Sequence, residues 1–227
     1  MQTAGYIGFL YHPSQEDKER SMSFACDVDA TTNYGRKRNQ KNADIRIQQC
    51  YIGKLCELGV EQYAMANGYG IVRGVDWEIY KQGNKSWDSD MVLEKQGRQL
   101  HISIKSSPRK YGGRTEYLNG TPIPVELPPQ YTYTIQLSDK DGKFGTDIGR
   151  HEKYIFCNWD GARKTVEVFA WVDADMVEKL LIRPFSKKLK TIKGCIMMAT
   201  CGERNGEPLR ETPCGLVELI NREKKHA

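Results

Sequence analysis

The sequence predicts an α/β protein with a central mixed β-sheet flanked by helices. Three segments carry that expectation: a strongly periodic helix at 43–67, a strand hairpin over Asp90–Lys105, and a second hairpin over Lys153–Val172. The order is helix, strand, hairpin, strand, hairpin, helix and further strands. It lacks the regular strand–helix alternation of a doubly wound nucleotide fold.

Residues 1–42 show few periodic segments and read as an N-terminal arm, with TTNYGRKRNQKN (31–42) as an exposed basic loop. In 43–67, Ile52, Leu55, Cys56, Gly59, Val60, Tyr63 and Ala64 recur at helical spacing, and Asn67-Gly68 supplies the stop. Gly53 and Gly59 each weaken a helix by about 1 kcal/mol relative to Ala, so they argue for close approach to another backbone. Residues 70–81 alternate as a strand, with Val75, Trp77 and Ile79 on one side and Asp76, Glu78 and Tyr80 on the other. The first hairpin turns at Gln96-Gly97-Arg98. Residues 106–129 read as loop and Tyr131–Leu137 as a strand. Asp160-Gly161 turns the second hairpin, Asp173 or Asp175 caps a short helix through Leu181, and 192–199 and 215–220 read as final strands. No linker divides the chain. It reads as one domain, 1–227, with an arm (1–42), a core (43–181) and a C-terminal elaboration (182–227).

Composition bounds the function. The chain has 227 residues, 39% hydrophobic and 28% charged, which fits a soluble globular protein. No apolar run approaches the roughly 18 residues of a membrane span. The start, MQTAGYIGFLYHPS, lacks the features of a secretory signal, and the seven cysteines are irregularly spaced. Reduced thiols and a cytoplasmic location are therefore expected. The net charge of +5 permits nucleic-acid binding without demanding it. Basic residues cluster at Arg36-Lys37-Arg38 with Lys41, at Arg109-Lys110 with Arg114, at 187–193 and in the tail at 222–225. Each is a solvated surface if taken alone; together around one acidic site they would form a phosphate track.

The chemistry concentrates in DMVLEKQGRQLHISIK, residues 90–105. Asp90 begins one strand and Lys105 lies on its neighbour. His101, Ser103 and Lys105 share one face of the second strand, while Leu100, Ile102 and Ile104 share the other. A carboxylate that holds a divalent cation and a lysine that orients water are what phosphodiester hydrolysis needs. The plainer account of such a pair is a weak surface ion pair across a hairpin.

Helix, strand, strand with Asp, strand ending in Lys is the core order of the PD-(D/E)XK nuclease superfamily, which includes type II restriction endonucleases and Holliday-junction resolvases. The chain resembles that family over roughly residues 45–181. Gly53-Lys54-Leu55-Cys56-Glu57, with Tyr63-Ala64 and Gly68-Tyr69, is similar to the first helix of archaeal-type resolvases, and YIFCNWDGARKTVEVFAWVDADMVEKLL resembles the strands and helix that follow the core in restriction-type nucleases. The resemblance implies a restriction-endonuclease-like core and an Mg²⁺-dependent endonuclease on double-stranded DNA, with Mn²⁺ able to substitute. It implies a homodimer matched to a palindromic site. Glu57, Asp90 and Ser103 would then hold the metal and Lys105 would position the water. Arg36, Lys37, Arg38, Ser106, Ser107, Arg109 and Lys110 would contact DNA.

One departure stands out. The family's (D/E)-x-K element is here Ser103-Ile104-Lys105, so the second strand carboxylate is missing. Either Glu57 supplies the missing charge, or Asp88, Asp76 or Glu78 takes the carboxylate's place, or catalysis has been lost and a DNA-binding protein remains. A junction-resolving or nicking nuclease is the other alternative. Cys195, Cys201 and Cys214 lack a close zinc-binding pair and read as small hydrophobes, and His101 is either a base beside Lys105 or a satisfied strand histidine.

Overall fold

A computed structural model describes residues 4–31, 42–80, 89–108, 110–118, 121–130, 132–136, 151–177, 183–184, 194–198, 203–204 and 207–208, with side chains described up to 108 and over 151–176. Its centre is a six-stranded mixed sheet with helices on its flank, the α/β class expected. The strands are β1 (Ala4–Tyr11), β2 (Gly70–Arg73), β3 (Met91–Lys95), β4 (Arg98–Pro108), then β5 (Lys110–Leu118), β6 (Thr121–Gln130) and β7 (Thr132–Gln136) outside this sheet, and β8 (Lys153–Asp160) and β9 (Thr165–Asp173) within it. The order across the sheet is β1-β9-β8-β4-β3-β2. All neighbours are antiparallel except β4 and β8, which run parallel from Ile102↔Lys153 to Pro108↔Trp159. A parallel pair requires a crossover, and residues 109–152 supply it.

The long helix α2 (Ala43–Ala66) forms as expected. The Asn42 side chain accepts from the Asp44 and Ile45 amides, and Gly68 takes φ +73 past the Asn67 cap. Its stripe of Ile52, Leu55, Cys56, Val60 and Ala64 packs on Met91 and Leu93 of β3, Ile102 of β4, Ile155, Cys157 and Trp159 of β8, and Val166 and Val168 of β9. The hairpin β3–β4 closes through Gln96 (φ 54) and Gly97 (φ 74), a two-residue turn with both centres left-handed. In the β8–β9 turn, Asp160 Oδ1 accepts the amides of Ala162 and Arg163. Cys26, Cys50, Cys56 and Cys157 are thiols. No described helix is long and apolar enough to cross a membrane.

Four expectations are corrected. Residues 4–11 form β1, paired with β9 at the sheet edge, and α1 (Gln15–Thr31) packs on α2. The pattern hid both: β1 is broken by an irregularity between Tyr6 and Phe9, and α1 buries only Ser21 and Ala25. The strand expected over 70–81 ends at Arg73, after which Asp76 organises a turn by accepting the Glu78 amide at 2.9 Å and the Tyr80 hydroxyl at 2.9 Å. The loop expected over 106–129 is instead the end of β4 and the β5–β6 pair. Gly59 does lie close to other elements, but Gly53 has nothing within 4 Å of an added Cβ. The helix that Asp173 or Asp175 was to cap is α3 (Ala174–Val177), and Gly194–Met198 is a strand. Asp88, residues 215–220, Cys201 and Cys214 lie outside the described residues.

Two predictions follow from these contacts. A Cβ at Gly59 would meet Val166 Cγ1 at 3.1 Å and Tyr11 Cδ1 at 3.4 Å. Gly53→Ala should therefore raise stability by about 0.5–1 kcal/mol, read from the urea midpoint, and Gly59→Ala should gain less or lose. An equal gain at both sites would contradict the packing around Gly59.

The second concerns the start of α1, where Ser14 Oγ accepts the Asp17 amide at 3.1 Å and Asp17 Oδ2 accepts from the Ser14 amide, the Ser14 hydroxyl and the Tyr11 hydroxyl. Partial burial raises the Asp17 pKa, but the hydrogen bonds from Ser14 and Tyr11 and the charge of Arg20 outweigh it, and the net shift is downward. The stability this contributes is present above the ordinary carboxylate range and lost as pH falls through the depressed value. Asp17→Asn should flatten the acid limb of a stability–pH curve below pH about 4. An unchanged limb would show that Asp17 contributes no linkage.

Candidate active site

The β-ladder between β3 and β4 ends at Met91↔Ile102, yet β4 continues to Pro108. Beyond that point the β4 edge needs other acceptors. Asp90, just before β3, supplies one: its Oδ2 accepts the Ile104 amide at 2.7 Å and the Ser103 hydroxyl at 3.1 Å. Its second oxygen, Oδ1, has no hydrogen-bond partner among the described residues. Ser103 is 1% exposed, so its hydroxyl depends on Asp90 for an acceptor.

Alternation places Ser103 and Lys105 on one face of β4, opposite the Ile102 that packs under α2. Asp90 joins them by its bond to Ser103. The half-buried Lys105 ammonium lies 5.6 Å from the ring centroid of Tyr154 on β8. A cation over an aromatic face is held electrostatically, which restricts where Lys105 can reach. Ser107, also buried, donates to the Pro108 carbonyl at 3.3 Å. Asp90 and Ser103 are thus bonded to each other, and Lys105 follows two residues on along the same face of β4.

Glu57 is not brought to them. It sits on α2, across the sheet from Ser103, and its Oε2 accepts from Lys54 at 2.6 Å. Lys54 is 8% exposed. Its ammonium also donates to the Asp76 carbonyl at 2.6 Å and faces the rings of Phe24 and Trp77 at 4.9 and 5.7 Å. Arg20 stacks over the same Trp77 at 4.1 Å. Glu57 therefore neutralises a buried lysine. Asp76 and Glu78, the displaced-carboxylate candidates within the described residues, lie in the turn after β2, where Asp76 bonds Tyr80. That bond, partial burial and the Asp76 and Glu78 charges push the Tyr80 pKa up to about 12. Arg36, Lys37, Arg38 and Arg109 lie outside the described residues, and Lys110 is described only as a position in β5.

Sequence reasoning missed Ser89 and Arg73. Ser89 Oγ and His101 Nδ1 share a 3.0 Å hydrogen bond, and the Ser89 carbonyl accepts from Arg73 Nη2. Neither residue follows a local motif, since both act across strands. His101 is thereby a partnered strand histidine.

Among the described residues no three His, Cys, Asp or Glu side chains cluster as metal ligands. The donor set is one carboxylate oxygen of Asp90 beside the Ser103 hydroxyl. That suits Mg²⁺, which binds through one or two carboxylates and takes its other ligands from water and phosphates. It does not suit an all-protein cage, and it leaves Glu57 out. No family model, curated protein or solved structure matches this chain.

Ser103→Asp tests the donor set apart from activity. The change removes a donor to Asp90 and sets a second carboxylate against it in a buried place. Stability should fall by about 1–3 kcal/mol without divalent cations, and Mn²⁺ should restore most of it in urea unfolding. A loss that no divalent cation recovers would mean that Asp90 and position 103 do not form a cation site.

Proposed function

We propose that the chain is a metal-dependent endonuclease of restriction type, hydrolysing phosphodiester bonds in double-stranded DNA. One observation supports this most directly: Asp90, Ser103 and Lys105 share one side of β3–β4, in a chain order of α2, β2, β3 led by Asp90, and β4 carrying Lys105. That is the order the nuclease resemblance implies.

When bound, Mg²⁺ would polarise the scissile phosphate and lower the pKa of a bound water. The chain's own residues would do the rest. Asp90 offers Oδ1 while Oδ2 stays tied to Ile104 and Ser103, so its carboxylate is fixed in direction. Ser103 adds a neutral oxygen. Lys105, held near Tyr154, orients the attacking water and compensates charge on the phosphate. A homodimer would set two such sites against the two strands, its two-fold axis matching a palindromic sequence. Arg36, Lys37, Arg38, Ser106, Arg109 and Lys110 remain the proposed DNA contacts; Ser107 leaves the set, because it is 1% exposed and its hydroxyl donates to the Pro108 carbonyl. Cytoplasmic residence completes the proposal.

A second reading has its own support. Glu57 pairs with Lys54, and among the described residues Asp90 is the one carboxylate beside Ser103, as a DNA-binding protein that has lost catalysis would have. Digestion of a mixed-sequence plasmid with Mg²⁺ or Mn²⁺, followed by sequencing of the ends, separates the two. The nuclease reading expects cleavage by the wild type, with Asp90→Ala and Lys105→Ala each at least about 100-fold slower and still able to bind DNA. Near wild-type cutting by either variant would remove these residues from the site. No cleavage with any metal, together with retained DNA binding, would favour the second reading.

A further inference from the structure

Asp90 lies outside the β3 ladder, which begins at Met91, so ladder bonds do not fix its backbone. The residue before it is held instead. Ser89 is 7% exposed. Its hydroxyl shares a hydrogen bond of 3.0 Å with His101 Nδ1, and its carbonyl accepts from Arg73 at the end of β2. His101 is anchored in turn: its amide donates to Glu152 Oε2 at 3.1 Å and its carbonyl accepts the Glu152 amide at 2.9 Å. Arg98 donates to the other Glu152 oxygen at 3.1 Å. The Ser89-Asp90 peptide is therefore gripped from β2 on one side and β4 on the other.

We infer that Ser89, His101 and Arg73 are positioning residues that set the direction of the Asp90 carboxylate, and with it the metal affinity of the site. The inference rests on the reading of Asp90 as the metal-holding carboxylate. Its physical basis is leverage. Turning the Ser89 peptide would swing the Asp90 side chain away from the Ile104 amide and Ser103, and Oδ1 would move with it. Residues that orient a metal ligand, without touching the metal, commonly change its affinity by about 10–100-fold. The hydroxyl–imidazole bond is directional, so it constrains rotation as well as distance.

The test uses the full chain with Ser89→Ala, His101→Ala and His101→Asn, the last keeping a polar group near the position of Nδ1. Two quantities are read: the Mn²⁺ concentration giving half-maximal plasmid cleavage, and the hydrogen-exchange rate of the Ile104 amide. Both alanine variants should remain folded in urea titration and need about tenfold more Mn²⁺ at an unchanged KM for DNA, with most of the loss restored in His101→Asn. The Ile104 amide should exchange at least about tenfold faster in the alanine variants. If the wild type cleaves and both alanine variants keep its Mn²⁺ dependence, the inference is overturned. Should the wild type cleave nothing with any metal, the nuclease reading fails by itself, and Ile104 exchange decides alone: faster exchange supports the positioning role and unchanged exchange overturns it. If an alanine variant does not fold, His101→Asn and Arg73→Lys carry the same two measurements, and wild-type values in both would overturn the inference.

Discussion

The site depends on an amide that has lost its ladder. β4 is the hinge of the sheet, antiparallel to β3 on one side and parallel to β8 on the other. Because β3 starts at Met91, the Ile104 amide on the overhanging part of β4 needs an acceptor, and Asp90 provides it. An amide left unpaired away from water costs up to about 1–3 kcal/mol, and the partly buried Ile104 amide avoids a share of that cost through the carboxylate at position 90. The same carboxylate oxygen meets Ser103, and the second oxygen has no hydrogen-bond partner among the described residues. Fold and proposed chemistry thus draw on one carboxylate, and its two oxygens divide the roles.

A buried lysine organises the opposite face. Lys54 would be costly to bury alone, but it meets Glu57, the Asp76 carbonyl and two aromatic faces. That arrangement joins α1 through Phe24, α2 through Lys54 itself, and the turn after β2 through Asp76 and Trp77. It also explains why 74–80 leaves the sheet: the Asp76 carbonyl is given to Lys54 and its side chain to Glu78 and Tyr80. Asp29 and Arg46 add a forked ion pair between the end of α1 and the start of α2, with bonds of 2.5 and 3.0 Å.

Elements whose signals are local were legible in the sequence. The stripe and caps of α2, the left-handed Gln96-Gly97 turn and the Asp160 turn each announce themselves within a few residues. β1 and α1 did not, because their partners are remote and their buried positions are small: Ser21 and Ala25 carry no hydrophobic period. The capping pair Ser14 and Asp17 was a local signal left unused. At the site, Asp90, Ser103 and Lys105 could be read because hairpin pairing and strand alternation are short-range rules. Glu57 could be placed at the edge of the α2 stripe, but the stripe does not say which side of the sheet Ser103 faces. Ser89, His101 and Arg73 meet only once β2, β3 and β4 are assembled, and no spacing in the sequence encodes that meeting.

The serine at 103 carries a consequence for the proposed chemistry. A carboxylate there would double the negative charge at the site and would lose the hydrogen bond that now directs Asp90. The hydroxyl gives direction at the expense of charge. With Asp90 the one carboxylate at the site among the described residues, most of the ligands to a hard cation would come from water and from the phosphate of the substrate. Metal and DNA would then bind as partners, and linkage requires each to raise the affinity of the other by the same factor. A site built this way would hold its cation poorly without DNA and well with it. In that arrangement the direction of a single carboxylate oxygen would matter more than the number of acids around it, and the grip on the Ser89 peptide would then bear on metal affinity.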